Sequence, residues 1–453
     1  MRWRLAAFGA VAVAVAAGGV TFVATQDSHH GPGPHSAATR TTPAPAASPA
    51  LGTLAAAAPV PTRAGLGRQL RHLAAAPALG GALSAFVVDA STGAPLFVRR
   101  PDAADPPAST TKLFTAVAAL ETLGADARLT TGVVRAGRTL YLVGGGDVTL
   151  AAAKRLTYPA PATLGQLAQR TAAAVAGTHF VLRYDDSLWQ GPAEAAGWQP
   201  SYVSGGNVAP VSALEVDEGR LSGFTSLHPQ PRVSDPAAAA AAEFARALTA
   251  AGVRLAPGVH RATAPHAVPV ATVQSAPVSA LVQRMLTASD NDLAEALART
   301  VAVHEHFAPT FAGAGAALVA TLRGQGLPVG ALRLHDGSGL STLDRASARL
   351  LAAVLRLVAQ RPELGAVSAG LPVAGFTGTL AERYRRPVSN AGAGLVRAKT
   401  GTLRGVNTLA GTVVDTDGRL LVFAFLTDRA TDPDSTEQAL DQLAAQLARC
   451  GCR

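Results

Sequence analysis

Cysteine, aromatic residues and charge are scarce in this chain of 453 residues, which has two cysteines, 5% aromatic residues and 15% charged residues. Only one apolar run, Leu5–Ala24, approaches the roughly 20 residues that cross a bilayer, which excludes a protein with several membrane spans. The formal net charge is +9, but no basic run alternates with aromatic residues, so nucleic acid is not an expected partner. The 48% hydrophobic fraction excludes a wholly disordered chain and indicates a globular protein.

The N-terminus has the pattern of an export segment. Arg2 and Arg4 precede the uncharged run, and a positive segment followed by an apolar one is typical of a signal peptide. No clean cleavage site with small residues follows, so residues 1–25 are either a removed signal peptide or a single-span membrane anchor. In both cases the positive charges stay in the cytoplasm, and the rest of the chain is expected outside it.

Residues 26–65 are mostly Ala, Pro, Thr, Ser, Gly and His, with almost no large apolar side chain. Such a segment has nothing to pack, so we predict a disordered linker. His29, His30 and His35 lie within it and are interpreted as solvated side chains rather than metal ligands.

The two cysteines, Cys450 and Cys452, lie in a Cys-Gly-Cys sequence near the C-terminus. A disulfide between them closes a small and strained ring, but it is the leading interpretation for an exported protein. A zinc site would need two further ligands, and none is placed to supply them. We therefore predict no metal site.

The apolar pattern predicts an α/β (α+β) domain that is interrupted by an inserted segment. Residues 66–128 read as two short strands followed by a helix over residues 109–123. Residues 129–270 have short strand-like pieces and many Gly and Pro turns, so we predict one or more mostly β inserted domains. Residues 271–453 read as helices, then a strand hairpin and a final amphipathic helix that complete the first domain.

The first candidate motif is Ser109-Thr-Thr-Lys112, at the start of the predicted helix. Residues three apart share a helix face, so the lysine amine can reach the serine hydroxyl. A serine becomes a nucleophile when a base takes its proton, and a buried lysine beside another cation can be that base. Taken alone, the motif also fits a helix N-cap followed by an exposed lysine.

Two further motifs contain serine and lysine, the residue types that the first motif also contains. The Ser-Asp-Asn sequence of Ser289–Asn291 precedes a helical segment, where these residue types are also the preferred N-caps. The Lys-Thr-Gly-Thr sequence of Lys399–Thr402 lies on a predicted strand, where a lysine also suits an exposed edge. Each motif has a structural interpretation by itself, and their order along the chain is what favours catalysis.

The three motifs in this order resemble the signature of penicillin-binding proteins and serine β-lactamases. Ser109 and Ser289 lie about 180 residues apart, a longer interval than in class A β-lactamases, which implies inserted domains. The chain resembles the D-alanyl-D-alanine carboxypeptidase/endopeptidase family, the low-molecular-mass class C penicillin-binding proteins. The resemblance covers nearly all of residues 66–450 and runs through Val87–Gly93, Pro107–Lys112, Leu142–Asp147, Asp185–Trp189, Ser289–Asn291, Asp336–Ser341, Leu371–Gly375, Lys399–Leu403 and Leu409–Gly411.

This resemblance implies a penicillin-binding-protein transpeptidase-like, or β-lactamase-like, serine domain and a role for each motif residue. Ser109 would attack the carbonyl of the penultimate D-alanine, and Lys112 would take its proton. Ser289 would pass a proton to the leaving nitrogen, and Asn291 would hold the substrate amide. Lys399 would bind the terminal carboxylate and help keep Lys112 neutral.

The resemblance also implies the substrate-binding residues. Thr400, Gly401 and Thr402 would hold the end of the substrate, with a backbone N–H of Thr402 in the oxyanion hole. Asp185 and Trp189 would help form a pocket for the side chain of the peptide stem. From the residues alone, Asp185 is equally well a turn carboxylate.

The resemblance implies a serine-type hydrolase that trims or cleaves peptidoglycan stem peptides through an acyl-enzyme and binds β-lactams such as penicillin covalently. It implies no metal and no organic cofactor, and a location outside the cytoplasm, in the cell wall or on the outer face of the membrane. Two alternatives stay open: a serine β-lactamase, and a non-catalytic protein that binds the cell wall on the same scaffold.

Overall fold

The computed structural model describes residues 58–154, 157–176, 179–221 and 229–452. The predicted export segment, residues 1–25, and most of the predicted linker lie outside these ranges. Within them, no helix is both long enough and apolar enough to cross a membrane. The predicted anchor is therefore not tested by this structure.

The described residues form the following strands and helices. The strands are β1 Ser84–Asp89, β2 Pro95–Arg99, β3 Thr130–Ala136, β4 Thr139–Val143, β5 Phe180–Asp185, β6 Leu255–Arg261, β7 Ala271–Gln274, β8 Val396–Leu403, β9 Val406–Val414 and β10 Leu420–Thr427. The helices are α1 Arg63–Leu73, α2 Lys112–Leu123, α3 Leu164–Ala174, α4 Ser201–Ser204, α5 Pro236–Ala250, α6 Val278–Ala288, α7 Asn291–His304, α8 Phe311–Gly324, α9 Ala348–Gln360, α10 Gly365–Gly370 and α11 Pro433–Ala448.

The first sheet has the strand order β2-β1-β10-β9-β8, and all its neighbouring strands are antiparallel. Its central strands have almost continuous apolar sequences, Phe-Val-Val in β1 and Leu-Val-Phe-Ala-Phe-Leu in β10. Such runs are typical of strands that are covered on both faces. The hairpin of β9 and β10 is the one that the sequence predicts.

Helices cover both faces of this sheet. On one face, α2, α6, α7, α8 and α9 share a core with alternate strand residues such as Phe86 and Val422. On the other face, α1 and α11 pack against the intervening residues, such as Val87 and Phe423. Because successive side chains of a strand point to opposite faces, the same apolar runs supply both cores. The result is a three-layer α/β/α arrangement.

The inserted segment contains a second five-stranded sheet, with the order β6-β5-β4-β3-β7. The pairs β4–β5 and β5–β6 are parallel, and the other pairs are antiparallel. This segment also contains α3 and α5, whose Leu167 and Phe244 share a core with Leu182 of the sheet. Strand β7 belongs to this sheet although it follows the boundary predicted at residue 270. The division into domains stays a prediction.

The two ends of the described chain meet. Helix α1 begins at Arg63, inside the segment predicted as linker, and the Thr62 side chain caps it by accepting from the Gly65 N–H at 3.0 Å. The Thr62 N–H donates to the carbonyl of Cys452 at 2.8 Å. Cys450 and Cys452 are joined in a disulfide, as the sequence favours.

Candidate active site

The Ser109 turn lies against strand β8. Residues 108–111 form a 3-10 turn, so the α-helix begins at Lys112 and not at Ser109 as the sequence predicts. The Thr408 hydroxyl of β9 donates to the Pro107 carbonyl at 2.9 Å and fixes this turn on the sheet. The Ser109 side chain is half-buried, so it is open to a substrate.

Lys112 is fully buried, and its Nζ contacts three oxygen atoms. Ser109 Oγ lies at 2.9 Å, Asn291 Oδ1 at 2.7 Å and the Ser338 carbonyl at 2.7 Å. The orientation of the Asn291 amide is fixed because its Nδ2 donates to the Asn207 carbonyl at 2.9 Å. The lysine therefore joins the first two sequence motifs at one nitrogen atom.

These partners determine the orientation of a neutral Lys112 amine. Asn291 Oδ1 and the Ser338 carbonyl only accept hydrogen bonds, so they take the two N–H groups that a neutral amine has. The remaining lone pair then faces Ser109 Oγ, the one partner of the three that has a proton to give. This is the arrangement that a general base needs.

The Ser-Asp-Asn motif forms the junction between α6 and α7. Ser289 adopts a left-handed conformation, with φ of 56°, which turns the chain sharply between the two helices. Asp290 is the N-cap of α7, as its residue type predicts, and its Oδ1 accepts from the Leu293 N–H at 3.0 Å. Asn291 follows as the first residue of the helix, so the turn places Ser289 and Asn291 on the site.

A buried set of ion pairs holds this junction. Arg284 pairs with Asp290 at 3.1 Å and also with Glu218, and Arg232 pairs with Asp292 at 2.9 Å. The carboxylates of Glu218, Asp290 and Asp292 lie close enough together to hold a metal ion. Because arginines already face these carboxylates, the cluster is explained as an ion-pair network, and its charges help fix the two helices.

The third motif lies on β8, the edge strand of the first sheet. Lys399 is fully buried, and its Nζ donates to Ser289 Oγ at 2.9 Å, which joins the second and third motifs. A Cβ atom at Gly401 would lie 3.0 Å from the Pro107 carbonyl oxygen and 2.2 Å from Thr408 Oγ1. Glycine at this position therefore lets the strand approach the Ser109 turn.

The threonines of this motif have partners that the sequence does not indicate. The Thr400 hydroxyl is 2.8 Å from the hydroxyl of Thr379, and the Thr402 hydroxyl donates to Glu437 of α11 at 3.2 Å. Thr379 and Thr402 are exposed, so these hydroxyl groups lie at the surface beside β8. Polar contacts thus continue past the three motifs.

The outer edge of β8 is closed over its first part. Val373 bridges Arg397, and the Ala398 N–H donates to the Pro372 carbonyl at 3.0 Å. In the part of the chain that the structure describes, no strand pairs with the outer edge of residues 399–403. The edge beside Ser109 is therefore the part available to an extended peptide.

Burial shifts the pKa of both active-site lysines downward. Complete burial lowers the pKa of Lys112 to about 8, although the nearby carboxylates of Asp336 and Glu295 favour its charged form. Burial lowers the pKa of Lys399 well below its usual value, and the nearby Lys112 charge lowers it further. Both amines can therefore exchange protons at lower pH than a solvated lysine.

The structure does not join Asp185 and Trp189 to the three motifs. The Asp185 carboxylate accepts from the backbone N–H groups of Ser187 at 2.9 Å and Ala264 at 2.6 Å, as a turn carboxylate does. Trp189 is buried and lines a cavity of about 380 Å³ that no motif residue lines. Their predicted role in substrate binding has no supporting contact here and stays a prediction.

The loop Asp336–Ser341 completes the site; the sequence predicts a turn near the site here, but it does not indicate the contact of the Ser338 carbonyl with Lys112. Asp336 Oδ2 accepts from the Trp198 indole at 2.8 Å, and its Oδ1 accepts from the Gly339 N–H at 2.6 Å. Glu295 and Thr115 bind the same loop. Helical spacing is a signal for both, because Glu295 follows Asn291 by four residues and Thr115 follows Lys112 by three.

A protein-family model described as D-Ala-D-Ala carboxypeptidase 3 (S13) matches residues 66–231 and 224–448 of this chain. The chain belongs to the S13 family of D-Ala-D-Ala carboxypeptidases. The resemblance inferred from the three motifs is confirmed, and the protein is a serine-type D-Ala-D-Ala carboxypeptidase, a hydrolase that acts on peptidoglycan.

Individual relatives of this S13 carboxypeptidase support the same assignment. The chain is 39% identical over 467 residues to carboxypeptidase DacB of Mycolicibacterium smegmatis, covering 100% of this chain and 99% of that protein. Among solved structures, penicillin-binding protein 4 of Haemophilus influenzae matches with a TM-score of 0.69 and 20% identity, over 85% of this chain and 98% of that one.

The same Haemophilus protein in complex with a β-lactam matches with a TM-score of 0.66 and 21% identity, over 83% of this chain and 98% of that one. A predatory peptidoglycan endopeptidase of Bdellovibrio bacteriovorus matches with a TM-score of 0.50 and 18% identity, over 81% of this chain and 92% of that one. These likenesses confirm the predicted fold class.

Proposed function

We propose that this S13 carboxypeptidase works through a serine acyl-enzyme in which Ser109 is the nucleophile and Lys112 is its general base. The observation that carries the proposal is the Lys112 Nζ, which lies 2.9 Å from Ser109 Oγ and has two acceptor-only oxygens as its other partners. Burial supports the neutral amine that this role requires.

Acylation begins when Ser109 Oγ attacks the carbonyl carbon of the penultimate D-alanine. The serine proton passes to Lys112 Nζ, and the carbonyl oxygen becomes an oxyanion beside backbone N–H groups of Ser109 and Thr402. The carbon–nitrogen bond then breaks. The Ser289 hydroxyl gives its proton to the leaving nitrogen and recovers one from Lys399 Nζ, which lies 2.9 Å away.

Deacylation returns every proton to its starting place. A water molecule loses a proton through Ser289 to the now neutral Lys399, and the hydroxide attacks the acyl carbon. When the tetrahedral intermediate collapses, Ser109 Oγ leaves and takes back its proton from Lys112. The lowered pKa of Lys399 supports its role as proton donor during acylation, because its ammonium is a readier proton donor than that of a solvated lysine.

Substrate orientation follows from β8. Lys399 and Thr400 would hold the terminal carboxylate, and Asn291 would hold the stem amide, while Gly401 lets β8 lie close to the Ser109 turn. The exposed hydroxyl of Thr379, at 2.8 Å from that of Thr400, supports a polar carboxylate pocket. The peptide then runs antiparallel to β8, with its C-terminus toward the start of the strand.

We also propose that the enzyme cleaves cross-linked stems and binds penicillin covalently at Ser109. Support comes from two proteins of similar fold, one described as a peptidoglycan endopeptidase and one solved with a β-lactam. A β-lactam has an acyl bond and a carboxylate like those of D-Ala-D-Ala, so the same groups would receive it. Presence of all three motifs argues against the non-catalytic alternative.

The function is tested with two natural substrates and one inhibitor. Purified protein is expected to release D-alanine from a pentapeptide stem and to separate a cross-linked stem dimer into monomers. Intact-mass spectrometry should show one stable penicillin adduct per chain, whereas a β-lactamase would release hydrolysed penicillin rapidly. Absence of both D-alanine release and adduct would contradict the proposed function.

The rate of acylation is expected to rise with pH through about 8. Below its pKa of about 8 Lys112 is mostly protonated and has no lone pair for the Ser109 proton. At one pH unit below that value only about a tenth of the amine is neutral, so the rate falls about tenfold. Stopped-flow measurement with a fluorescent penicillin from pH 5 to 9 gives the profile, and a flat profile would contradict Lys112 as the base.

We propose that the protein acts outside the cytoplasm. Peptidoglycan lies there, and the Arg2–Ala24 sequence has the charge and hydropathy of an export segment. N-terminal sequencing of protein from fractionated cells would show whether this segment is removed or is kept as a single-span anchor. Recovery of the protein only from the cytoplasm would contradict the proposal.

A further inference from the structure

One of the two acceptors that orient Lys112 is a backbone carbonyl, that of Ser338. A carbonyl in a loop points at its partner only while the loop conformation is held. Here the next peptide N–H, of Gly339, donates to Asp336 Oδ1 at 2.6 Å, and the Gly337 carbonyl accepts from the Thr115 hydroxyl at 2.6 Å. The loop is therefore held by its own Asp336 side chain and by Thr115 of helix α2.

The third fixed point is Glu295 on helix α7. Its Oε1 accepts from the Ser338 N–H at 2.8 Å, and its Oε2 accepts from the Gly337 N–H at 3.0 Å. The side chain is 1% exposed, so water does not replace these contacts. Glu295 lies one turn after Asn291 on the same face of α7. This face therefore carries Asn291, which is one acceptor of Lys112, and Glu295, which holds the backbone of the other acceptor, Ser338.

We propose that Glu295 is a positioning residue of this active site: by holding the Gly337 and Ser338 N–H groups, it keeps the Ser338 carbonyl on Lys112 Nζ and the lysine lone pair on Ser109. This inference rests on the proposed role of Lys112 as the base. It assigns a function to a buried acid that the reaction itself does not consume.

On balance, the surroundings of Glu295 oppose its charged form. Burial raises the pKa of Glu295 to about 8, and the nearby Asp336 also opposes its charge, while Arg299 on the same helix favours it. Burial and the nearby Asp336 charge also raise the pKa of Asp344, and Lys112 on α2 is the cation that faces this group of acids. A buried acid in such surroundings is costly, so it is retained for the two N–H groups that it binds.

Glu295→Gln is the principal test, because it keeps the shape and removes one carboxylate oxygen. Acylation by a fluorescent penicillin is expected to slow about 10- to 100-fold, the usual effect of removing a group that orients a catalytic one. The dissociation constant of the non-covalent complex is expected to stay unchanged. The acidic limb of the pH–rate profile is expected to move to lower pH, because Glu295, which ionises near the same pH as Lys112, no longer favours the protonated lysine.

Two further variants make the test selective. Glu305→Gln at the exposed end of the same helix is the matched control and is expected to behave like the unmodified protein. Glu295→Asp keeps the charge but draws it back from the loop, so it is expected to slow acylation while leaving the acidic limb in place. This variant also serves if Glu295→Gln does not fold.

Thermal unfolding of each variant separates positioning from stability. An unchanged acylation rate constant and pH profile in folded Glu295→Gln, or in Glu295→Asp if only that variant folds, would overturn the inference. So would a loss of rate that matches the loss of folded protein with no change in pH profile. If the unmodified protein itself forms no penicillin adduct, the proposed function fails, which is a separate result.

Discussion

Ser109→Ala protein is expected to form no covalent adduct with penicillin, and its release of D-alanine is expected to fall by about 10⁴- to 10⁶-fold. The reason is that alanine has no oxygen to attack the substrate carbonyl, and among the residues that the structure describes no second hydroxyl lies on Lys112 Nζ. Intact-mass spectrometry measures the adduct, and a D-amino-acid oxidase assay measures D-alanine.

The matched control for this substitution is Ser279→Ala, at the far end of α6 from Ser289. It removes a half-buried serine hydroxyl and is expected to leave both measurements unchanged. A Ser109→Ala protein that still forms a stable adduct would show that another residue is the nucleophile. Because the Ser109 side chain is half-buried, its loss is not expected to prevent folding.

Lys112→Met is expected to slow acylation by about 10²- to 10⁴-fold, the range for removing a general base. Methionine has a similar length but no lone pair that takes the Ser109 proton. The rise of the rate through about pH 8 is expected to disappear, because the group with that pKa is gone. Stopped-flow fluorescence with a labelled penicillin measures both effects.

Lys154→Met is the matched control, since it removes an exposed lysine in the inserted segment. Lys112→Arg adds a second comparison, because a guanidinium keeps a positive charge but does not act as a base in proteins. If the arginine variant acylates as fast as the unmodified protein, the charge of Lys112 matters and its basicity does not. That result would contradict the proposed mechanism.

The sequence draws attention to the three motifs because their residue types are rare together and their order is specific. The structure links the motifs through Lys112, which contacts Ser109 and Asn291, and through Lys399, which contacts Ser289, and the strand that carries Lys399 is also predicted. The fold around them follows from apolar periodicity, which is strong in the central strands and in α11. The start of α2 is misjudged because a 3-10 turn and an α-helix have nearly the same sequence preferences.

The contacts of the Ser338 carbonyl are not predictable in the same way. Every residue has a carbonyl, so no residue type marks the one that reaches Lys112, 226 residues earlier in the chain. Asp185 is a different case, because its predicted role in substrate binding stays a prediction. Its residue type and its string match a binding role, yet its two oxygens are taken by nearby backbone N–H groups.

The partly closed edge of β8 limits the length of peptide on the leaving side. A substrate that lies along the open residues 399–403 runs toward the start of β8, and there residues 372–374 already occupy the pairing positions of 396–398. A main chain that continued past the leaving residue would have no pairing positions and would collide with that segment. A leaving residue that ends in its own carboxylate fits, even when a second stem departs through its side chain. On the proposed substrate orientation, the closed part of β8 is therefore expected to favour substrates whose main chain ends at the leaving residue.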